Sequence, residues 1–368
     1  MSDRQQLKGS SPIGSRMIID GREVDCFCGT SYYSLHGHPA VIDAACEATR
    51  EFGLGPASIA GTRVIDRTVE LARQFFDVES VSYFVSGYLG AMVFAQALAD
   101  EYDVVLADEA SHYSILDGMR TAEKAIIFFR HLDPDDLASK LSAHVSPGVI
   151  PLIVTDGVFP ATGAIAPVRS YVDVLSSYNP ALLYVDDAHA VGVIGTEGRG
   201  TLEYLGLNGD NFHFSGTLSK AFGGIGGVVP GSLALAEKIA ESVHVPLGAS
   251  PPPVPAAAAA AKGIQILMEN PEMRQDLWAN TKRMKEGLRK LGFSVDETPI
   301  PIINIPGNPS LDLEHVEAEL NRQNILVLRL PAGGYSDAPD VESLRIAVFS
   351  THSEEQIDRV IDVMGRTI

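Results

Sequence analysis

The chain has 368 residues, of which 47 are acidic and 28 basic, giving a formal net charge of −19. This balance argues against nucleic acid or an anionic membrane surface as a general partner, because both require clustered Lys and Arg. Three cysteines in so long a chain predict reduced, packed thiols in a cytoplasmic protein, with neither a disulfide framework nor a metal site.

Apolar runs of strand length alternate with helical patterns along the first two thirds of the chain. Near-continuous apolar runs predict strands of a mostly parallel sheet that is buried on both faces by connecting helices. The sequence therefore predicts an α/β domain over 41–260, preceded by an N-terminal segment over 1–40. The seven predicted strands are VSYFV (81–85), DVVLAD (103–108), AIIFF (125–129), IPLIVT (150–155), ALLYVDD (181–187), FHFSG (212–216) and GGVVPG (226–231).

The last third of the chain has a different pattern. After the Pro-rich GASPPPVP (248–255), a long helical stretch over 256–291 leads to short strand candidates at 301–306, 324–330 and 343–349. Helical patterns follow near 312–322 and 354–365. These features predict a smaller C-terminal α+β domain over 261–368. The Ala-rich run over 256–261 is too short to cross a bilayer, so no membrane association is expected.

Chemically active residues follow several of the predicted strands. In open α/β sheets, ligands bind beyond the carboxyl ends of the strands, so residues at these positions are candidates for chemistry. The turn SGYLG, which begins at Ser86, opens a helix and presents the backbone N–H groups that suit a phosphate. The other strand ends carry His112, the pair Asp186 and His189, and the pair Thr217 and Lys220.

Each of these features has an ordinary explanation when it stands alone. Gly-rich turns are common in α/β proteins, a strand-end Asp is often a helix cap, and a lone His is often a packed side chain. Taken together, a phosphate-binding turn, a carboxylate, imidazoles and a Lys match the needs of pyridoxal phosphate (PLP). The Lys forms a Schiff base with the cofactor aldehyde, and the carboxylate keeps the pyridine nitrogen protonated.

The same motifs and their order resemble the α-oxoamine synthases, a family of fold-type I PLP-dependent transferases. The similarity extends over nearly the whole chain, from IDGREVDCFC (19–28) to LRIAVFSTHSEEQIDRVI (344–361). Its most specific part is VDDAHAVGVIGTEGRGT (185–201) followed by SGTLSKAFGG (215–224). The resemblance implies a homodimer with its active sites at the subunit interface.

The resemblance also implies a role for individual residues. Lys220 carries the cofactor and acts as the general base, and Asp186 pairs with the pyridine nitrogen. His189 bonds to the ring hydroxyl, and His112 stacks on the ring face. The phosphate is held by Thr217 together with the turn at Ser86, Gly87 and Tyr88.

Two further residues are implied to hold the carboxylate of the amino-acid substrate. Arg345 matches an arginine whose planar guanidinium neutralises and orients that carboxylate. Ser31 stands where the family usually has an Asn. The implied reaction condenses an amino acid with an acyl-CoA thioester, commonly with loss of carbon dioxide, to give an α-amino ketone.

Two departures from the family pattern leave alternatives open. Ser31 is shorter than the usual Asn, and Pro160 replaces a Ser, which removes a hydroxyl and an N–H from the site. The main alternative is therefore a PLP-dependent aminotransferase, racemase or decarboxylase of amino acids that does not use CoA. A binding protein without turnover is a third hypothesis, against which the presence of Lys220, Asp186 and His189 argues.

Overall fold

The computed structural model describes residues 7–55 and 61–368. The strands in this part of the chain are β1 (Arg16–Ile19), β2 (Arg22–Cys26), β3 (Ser80–Phe84), β4 (Val104–Asp108), β5 (Ala125–Phe129), β6 (Pro151–Asp156), β7 (Leu182–Asp186), β8 (Phe212–Thr217), β9 (Gly227–Gly231), β10 (Ile302–Pro306), β11 (Ile325–Leu326), β12 (Leu328–Leu330) and β13 (Ser343–Ala347).

The α-helices of the described residues follow the same chain order. They are α1 (Pro39–Phe52), α2 (Arg63–Phe76), α3 (Gly90–Ala97), α4 (Tyr113–Arg120), α5 (Pro134–His144), α6 (Val168–Leu175), α7 (Thr201–Tyr204), α8 (Leu233–Ser242), α9 (His244–Gly248), α10 (Val254–Glu269), α11 (Glu272–Lys290), α12 (Leu313–Arg322) and α13 (Glu354–Thr367). None of them has the length and hydrophobicity that a bilayer span requires.

The chain divides into two units. The central unit comprises Ala40–Pro160 and Ala164–Asn270, and the terminal unit comprises Met1–Pro39, Ala161–Gly163 and Pro271–Ile368. The domain limits expected from the sequence, at 1–40, 41–260 and 261–368, stay a prediction.

A seven-stranded sheet forms the centre of the central unit, in the order β3-β9-β8-β7-β6-β4-β5. Only β9 runs antiparallel to its neighbours in this sheet. Each of the seven apolar runs predicted from the sequence forms one of these strands, with ends that differ by at most one residue. The predicted α/β fold with a mostly parallel, seven-stranded sheet is therefore confirmed.

Successive side chains of the inner strands enter two different cores. In β4, Val105 and Ala107 belong to one cluster of buried side chains, whereas Val104 and Leu106 belong to the other. The first cluster includes residues of α3, α4 and α8, and the second includes residues of α5 and α6. Both faces of the sheet are thus covered, which explains why its strands are apolar at every position instead of at every second one.

Two three-stranded sheets, β1-β2-β11 and β10-β13-β12, belong to the terminal unit. The predicted strand at 324–330 is in fact two short strands, because β11 pairs with β2 and β12 pairs with β13. The apolar run itself gives no sign of this change of partner.

The long helical stretch predicted over 256–291 was wrong in one respect. It forms two helices, α10 and α11, with a break at Asn270 and Pro271. Proline lacks the N–H of the helical hydrogen-bond ladder and disfavours helical dihedrals at the residue before it. The break coincides with the boundary between the two units.

Candidate active site

A cavity of about 170 Å³ lies in the central unit at the carboxyl ends of its parallel strands. It contains all eight of the residues that the sequence assigns to the cofactor. The cavity is lined by Ser86, Gly87, Tyr88, His112, Ser114, Asp156, Pro160, Asp186, Ala188, His189, Thr217, Ser219 and Lys220.

The turn after β3 is built as a donor site. Ser86 has an extended backbone, and its Oγ accepts a hydrogen bond from the Tyr88 N–H at 3.3 Å, after which a short 3₁₀ turn leads into α3. Gly87 packs closely against the neighbouring strand, since a Cβ at this position would lie 2.7 Å from the Cβ of Thr217. Glycine therefore lets the backbone amides of this turn and the hydroxyl of Thr217 converge.

Asp186 ends β7 and is only 5% exposed. Its Oδ1 accepts a hydrogen bond from the Ala188 N–H at 3.0 Å. Burial raises the pKa of this carboxyl, while the charge of Lys220 and a hydrogen bond from Ser114 act in the opposite direction. A buried carboxylate beside a cationic side chain can stabilise a further positive charge brought into the cavity.

His112 caps the N-terminus of α4. Its backbone N–H donates to Oδ2 of Asp156 at 2.8 Å, and its Nδ1 shares a hydrogen bond with the Ser114 hydroxyl at 2.6 Å. Hydrogen bonds to the backbone N–H and to one ring nitrogen thus fix the position of His112. Its ring makes an edge contact with that of Tyr88, with 6.1 Å between the ring centres.

The segment after β8 folds back on itself around Lys220. Oγ1 of Thr217 donates to the Gly226 carbonyl at 3.0 Å and accepts from the Ser219 N–H at 3.2 Å. The Gly226 N–H in turn donates to Oγ of Ser219 at 3.2 Å. These bonds fix the backbone on both sides of the lysine.

Sequence reasoning gave no role to Asp156, Ser114 or Ser219. Asp156 ends β6, is 4% exposed and lies directly opposite Asp186 in the strand register. Its position at the end of an apolar strand could have marked it as a candidate site residue, as the same position did for Asp186. Ser114 and Ser219 had no such signal, because each depends on a turn that brings it back towards the cavity.

The two residues expected to bind the substrate carboxylate belong to the terminal unit. Arg345 lies in β13, is 5% exposed and shares a hydrogen bond with the hydroxyl of buried Tyr32. The Ser31 hydroxyl shares a hydrogen bond of 2.6 Å with Nδ1 of His36 and is buried. Their predicted role in substrate binding stays a prediction.

The donor set of the cavity fits pyridoxal phosphate. The N–H groups of the Gly87 turn suit a phosphate, and the close approach of Gly87 to Thr217 leaves no room for a side chain there. Asp186 supplies the buried carboxylate that a protonated pyridine nitrogen requires, and Lys220 supplies the amine for the aldehyde.

Comparison with known proteins gives a family match and named relatives. The family profile described as aminotransferase class I and II matches residues 32–364. The chain is 36% identical to an 8-amino-7-oxononanoate synthase of Symbiobacterium thermophilum, over 97% of this chain and 91% of that protein. It is 32% identical to the enzyme of the same name from Coprothermobacter proteolyticus, over 96% and 91%.

A solved structure gives the same result for the fold. A serine palmitoyltransferase from S. paucimobilis with bound PLP superposes with a TM-score of 0.88 at 26% sequence identity. The alignment covers 98% of this chain and 92% of that one.

Proposed function

Because the chain belongs to the class I and II aminotransferase family and, within it, to the α-oxoamine synthases, we propose that its cavity catalyses the condensation of an amino acid with an acyl thioester. The chain is a PLP-dependent transferase. The name shared by its relatives describes an amino group next to a ketone, and an α-amino ketone is the product that this reaction gives.

One observation carries the proposal. Lys220, Asp186, His112 and His189 come from three separate segments of the chain, after β8, β7 and β4, and line one cavity at the ends of the parallel strands. When bound, PLP supplies an aldehyde that links to amines and an electron-poor ring that accepts the electron pair of a breaking bond. All other steps fall to side chains of the protein.

The proposed roles follow from position and charge. Asp186 holds a positive charge at the ring nitrogen, since it is a buried carboxylate at a strand end. The Gly87 turn and Thr217 bind the phosphate, and His189 orients the ring through its hydroxyl. His112, fixed by Asp156 and Ser114, packs against the ring face.

Lys220 moves the proton. With PLP and the amino acid bound, the Nζ of Lys220 would take the proton from the α-carbon of the amino acid. The bonds between Thr217, Ser219 and Gly226 hold the backbone on either side of this lysine, so the amine returns to the same position in each turnover.

Arg345 is proposed to bind the carboxylate of the amino acid. Its guanidinium is almost completely buried, and Tyr32, which is itself buried, forms a hydrogen bond with it. A buried guanidinium held in one orientation suits bidentate binding of a carboxylate. The Ser31 hydroxyl forms a hydrogen bond with His36. We propose that Ser31 lines the same subsite with a side chain shorter than the Asn usual in the family.

The experiment that tests this function is a substrate screen with two readouts. The holoenzyme is mixed with a panel of amino acids, with and without acyl-CoAs of different chain length, while the cofactor spectrum and free thiol are followed. Thiol release that requires both substrates is the expected result. Conversion of the cofactor to its amine form by an amino acid alone, with no thiol released, would instead mean transamination.

We also propose a homodimer that acts in the cytoplasm. Support comes from the family resemblance, from the reduced cysteines and from large apolar side chains that are exposed in the central unit, such as Leu54, Ile225 and Leu247. Sedimentation should give twice the 39.3 kDa mass of one chain. A monomer at working concentration would contradict the proposal.

A further inference from the structure

Two thiols lie next to each other in the terminal unit. Cys26 is the last residue of β2, and Cys28 follows two positions later. Side chains two apart in an extended chain point to the same side, and here the two Sγ atoms are 3.5 Å apart. Both cysteines are free, Cys26 is buried and Cys28 is half-buried.

The backbone around this pair is held in place. The carbonyl of Cys26 accepts a hydrogen bond of 3.0 Å from Nε2 of His352, and the carbonyl of Phe27 accepts from the Ala347 N–H at 2.7 Å. The Phe27 ring stacks on His352 at 3.9 Å between ring centres. The short distance between the sulfurs is therefore fixed by contacts on both sides of the segment.

The two thiols are chemically different. A hydrogen bond from the Cys28 thiol lowers the pKa of Cys26, against the effect of burial. The same bond, together with burial, raises the pKa of Cys28. Cys26 therefore loses its proton more readily than Cys28, which makes Cys26 the thiol that reacts first and Cys28 the adjacent resolving thiol.

We propose that Cys26 and Cys28 are a redox modification site, at which hydrogen peroxide converts the two thiols into a reversible disulfide. The Cys26 thiolate attacks one peroxide oxygen, the O–O bond breaks, and the hydroxide that leaves takes up a proton to become water. Cys28 then loses its proton and attacks Cys26 Sγ, and the S–O bond breaks to release a second water. The two sulfurs lose two electrons in total, and the peroxide gains them.

The geometry favours formation of the Cys26–Cys28 disulfide over further oxidation of either sulfur. The two sulfurs need to approach from 3.5 Å to the disulfide bond length of roughly 2 Å. The resolving thiol is already in contact with the sulfur that reacts first. The half-buried Cys28 leaves the pair partly exposed to a small oxidant such as peroxide.

The consequence of closure falls on Arg345. The positive charge of Arg345 acts on the Cys28 thiol, and the Tyr32 hydroxyl bonds to the same guanidinium. Drawing Cys28 towards Cys26 changes the surroundings of Arg345 and so weakens binding of the amino acid. This part rests on the proposed function, in which Arg345 binds the substrate carboxylate.

The test uses the holoenzyme and hydrogen peroxide. After treatment, the chain is unfolded and its free thiols are counted, and its intact mass is measured. The three thiols of the reduced chain should fall to one, with a mass loss equal to two hydrogen atoms, and a reductant should reverse both. In Cys46→Ser, an exposed position outside the pair, the same mass loss should occur. Cys26→Ser and Cys28→Ser should abolish it.

A kinetic readout tests the effect on Arg345. Oxidised Cys46→Ser enzyme should have a KM for the amino acid that is raised several-fold and restored by reductant, with a smaller change in kcat. An unchanged KM in a fully linked enzyme would overturn the coupling to Arg345. In Cys46→Ser, oxygen added to Cys28 in place of the loss of two hydrogen atoms, or a link between two chains, would overturn the site itself. The thiol count and the mass need no substrate, so failure of the proposed function, seen as inactivity of the reduced enzyme, is a separate result.

Discussion

Asp187 follows the proposed ring-nitrogen partner in the sequence, is fully buried and has a different environment. Its Oδ2 accepts from the Thr201 N–H at 2.8 Å. Burial raises the pKa of this carboxyl to about 7, against the hydrogen bond from the Thr201 N–H, and the charge of Asp186 raises it further. The folded state therefore prefers the neutral acid, whereas the unfolded chain ionises near pH 4.

The sign of the pH dependence follows. The buried Asp187 carboxyl contributes to the free energy of unfolding in full below about pH 4. This contribution, roughly 4 kcal/mol in total, is lost as the pH rises to about 7. Asp187→Asn removes this loss, because the amide stays neutral. Urea unfolding at pH 5 and pH 8 should show a smaller decrease for the variant than for the parent chain. Parallel decreases in the two proteins would contradict the assignment.

His352 gives the opposite pH dependence. Burial lowers its pKa to about 4, although the hydrogen bond to the Cys26 carbonyl and the charge of Asp25 raise it. Its Nδ1 accepts from the Phe349 N–H at 2.9 Å, so this nitrogen carries no proton in the folded state. Stability that is present above pH 6.5 is lost as the pH falls to about 4, by about 3 kcal/mol.

The variant His352→Asn tests this assignment. It keeps an acceptor near Nδ1 and cannot become charged, so its unfolding free energy should fall less between pH 6.5 and pH 4 than that of the parent. The exposed His144→Asn serves as the control and should retain the full decrease. An acid-induced loss of equal size in His352→Asn would mean that another group is responsible.

At the scale of elements, the turn before α3 is the feature most closely tied to cofactor binding. In Gly87→Ala, the added Cβ would lie 2.7 Å from the Cβ and 2.8 Å from the Oγ1 of Thr217. Displacing that strand residue costs about 1–3 kcal/mol, which corresponds to roughly five- to 150-fold weaker PLP binding.

Gly9→Ala is a matched control for this change. At Gly9 a Cβ would meet only the end of the Met17 side chain, at 3.6 Å, so the affinity for PLP should not change. Fluorescence titration of the apoenzyme measures both variants. Equal affinities for Gly87→Ala and the parent chain would exclude the turn from the phosphate site.

The C-terminal helix α13 begins with a complete capping box. The Ser353 Oγ accepts from the Gln356 N–H at 3.2 Å, and the Gln356 side chain accepts from the Ser353 N–H at 2.9 Å. Ser353→Ala should therefore lower the unfolding free energy by about 1 kcal/mol. Ser294→Ala, at an exposed loop position, should leave it unchanged in the same denaturant titration. An equal loss in both variants would argue against the cap.

The elements also explain how far the sequence could predict the fold. The strands of the central sheet were predictable to within one residue, because burial on both faces requires apolar side chains at every position. The sequence could not predict that β11 pairs with β2 whereas β12 pairs with β13, because this depends on which strand is adjacent in space. Pro271 was the local signal for the end of α10, and the apolar pattern on either side of it obscured the break.

The same distinction applies to the site. Asp186 is the last residue of β7, and His112 and Lys220 lie within four residues of the ends of β4 and β8, so the rule that ligands bind at strand ends found them. Asp156 has the same kind of position, but a single carboxylate carried no further signal. Ser114 and Ser219 are in the cavity because turns bring them there, and a local sequence pattern does not specify such a turn.

At the scale of the whole molecule, the chain is acidic, but individual basic residues lie at the positions proposed to bind ligands. The net charge is −19, yet Lys220 lines the cavity and Arg345 lies buried in the terminal unit. Anionic substrates must therefore be held by local cationic groups, since the field of the whole chain opposes them. Of the two departures from the family pattern, Pro160 lines the cavity and Ser31 lies in the terminal unit, whereas the residues proposed for the cofactor are all present.

The most direct test of the central claim is to locate the cofactor on the chain. The holoenzyme is reduced with borohydride, which fixes the cofactor to the amine that carries it, and is then digested and mapped by mass spectrometry. The account predicts a single modified peptide, with the added mass on Lys220, and no such peptide from Lys220→Ala. Cofactor attached to a different lysine, or none attached to a chain that has bound PLP, would contradict it.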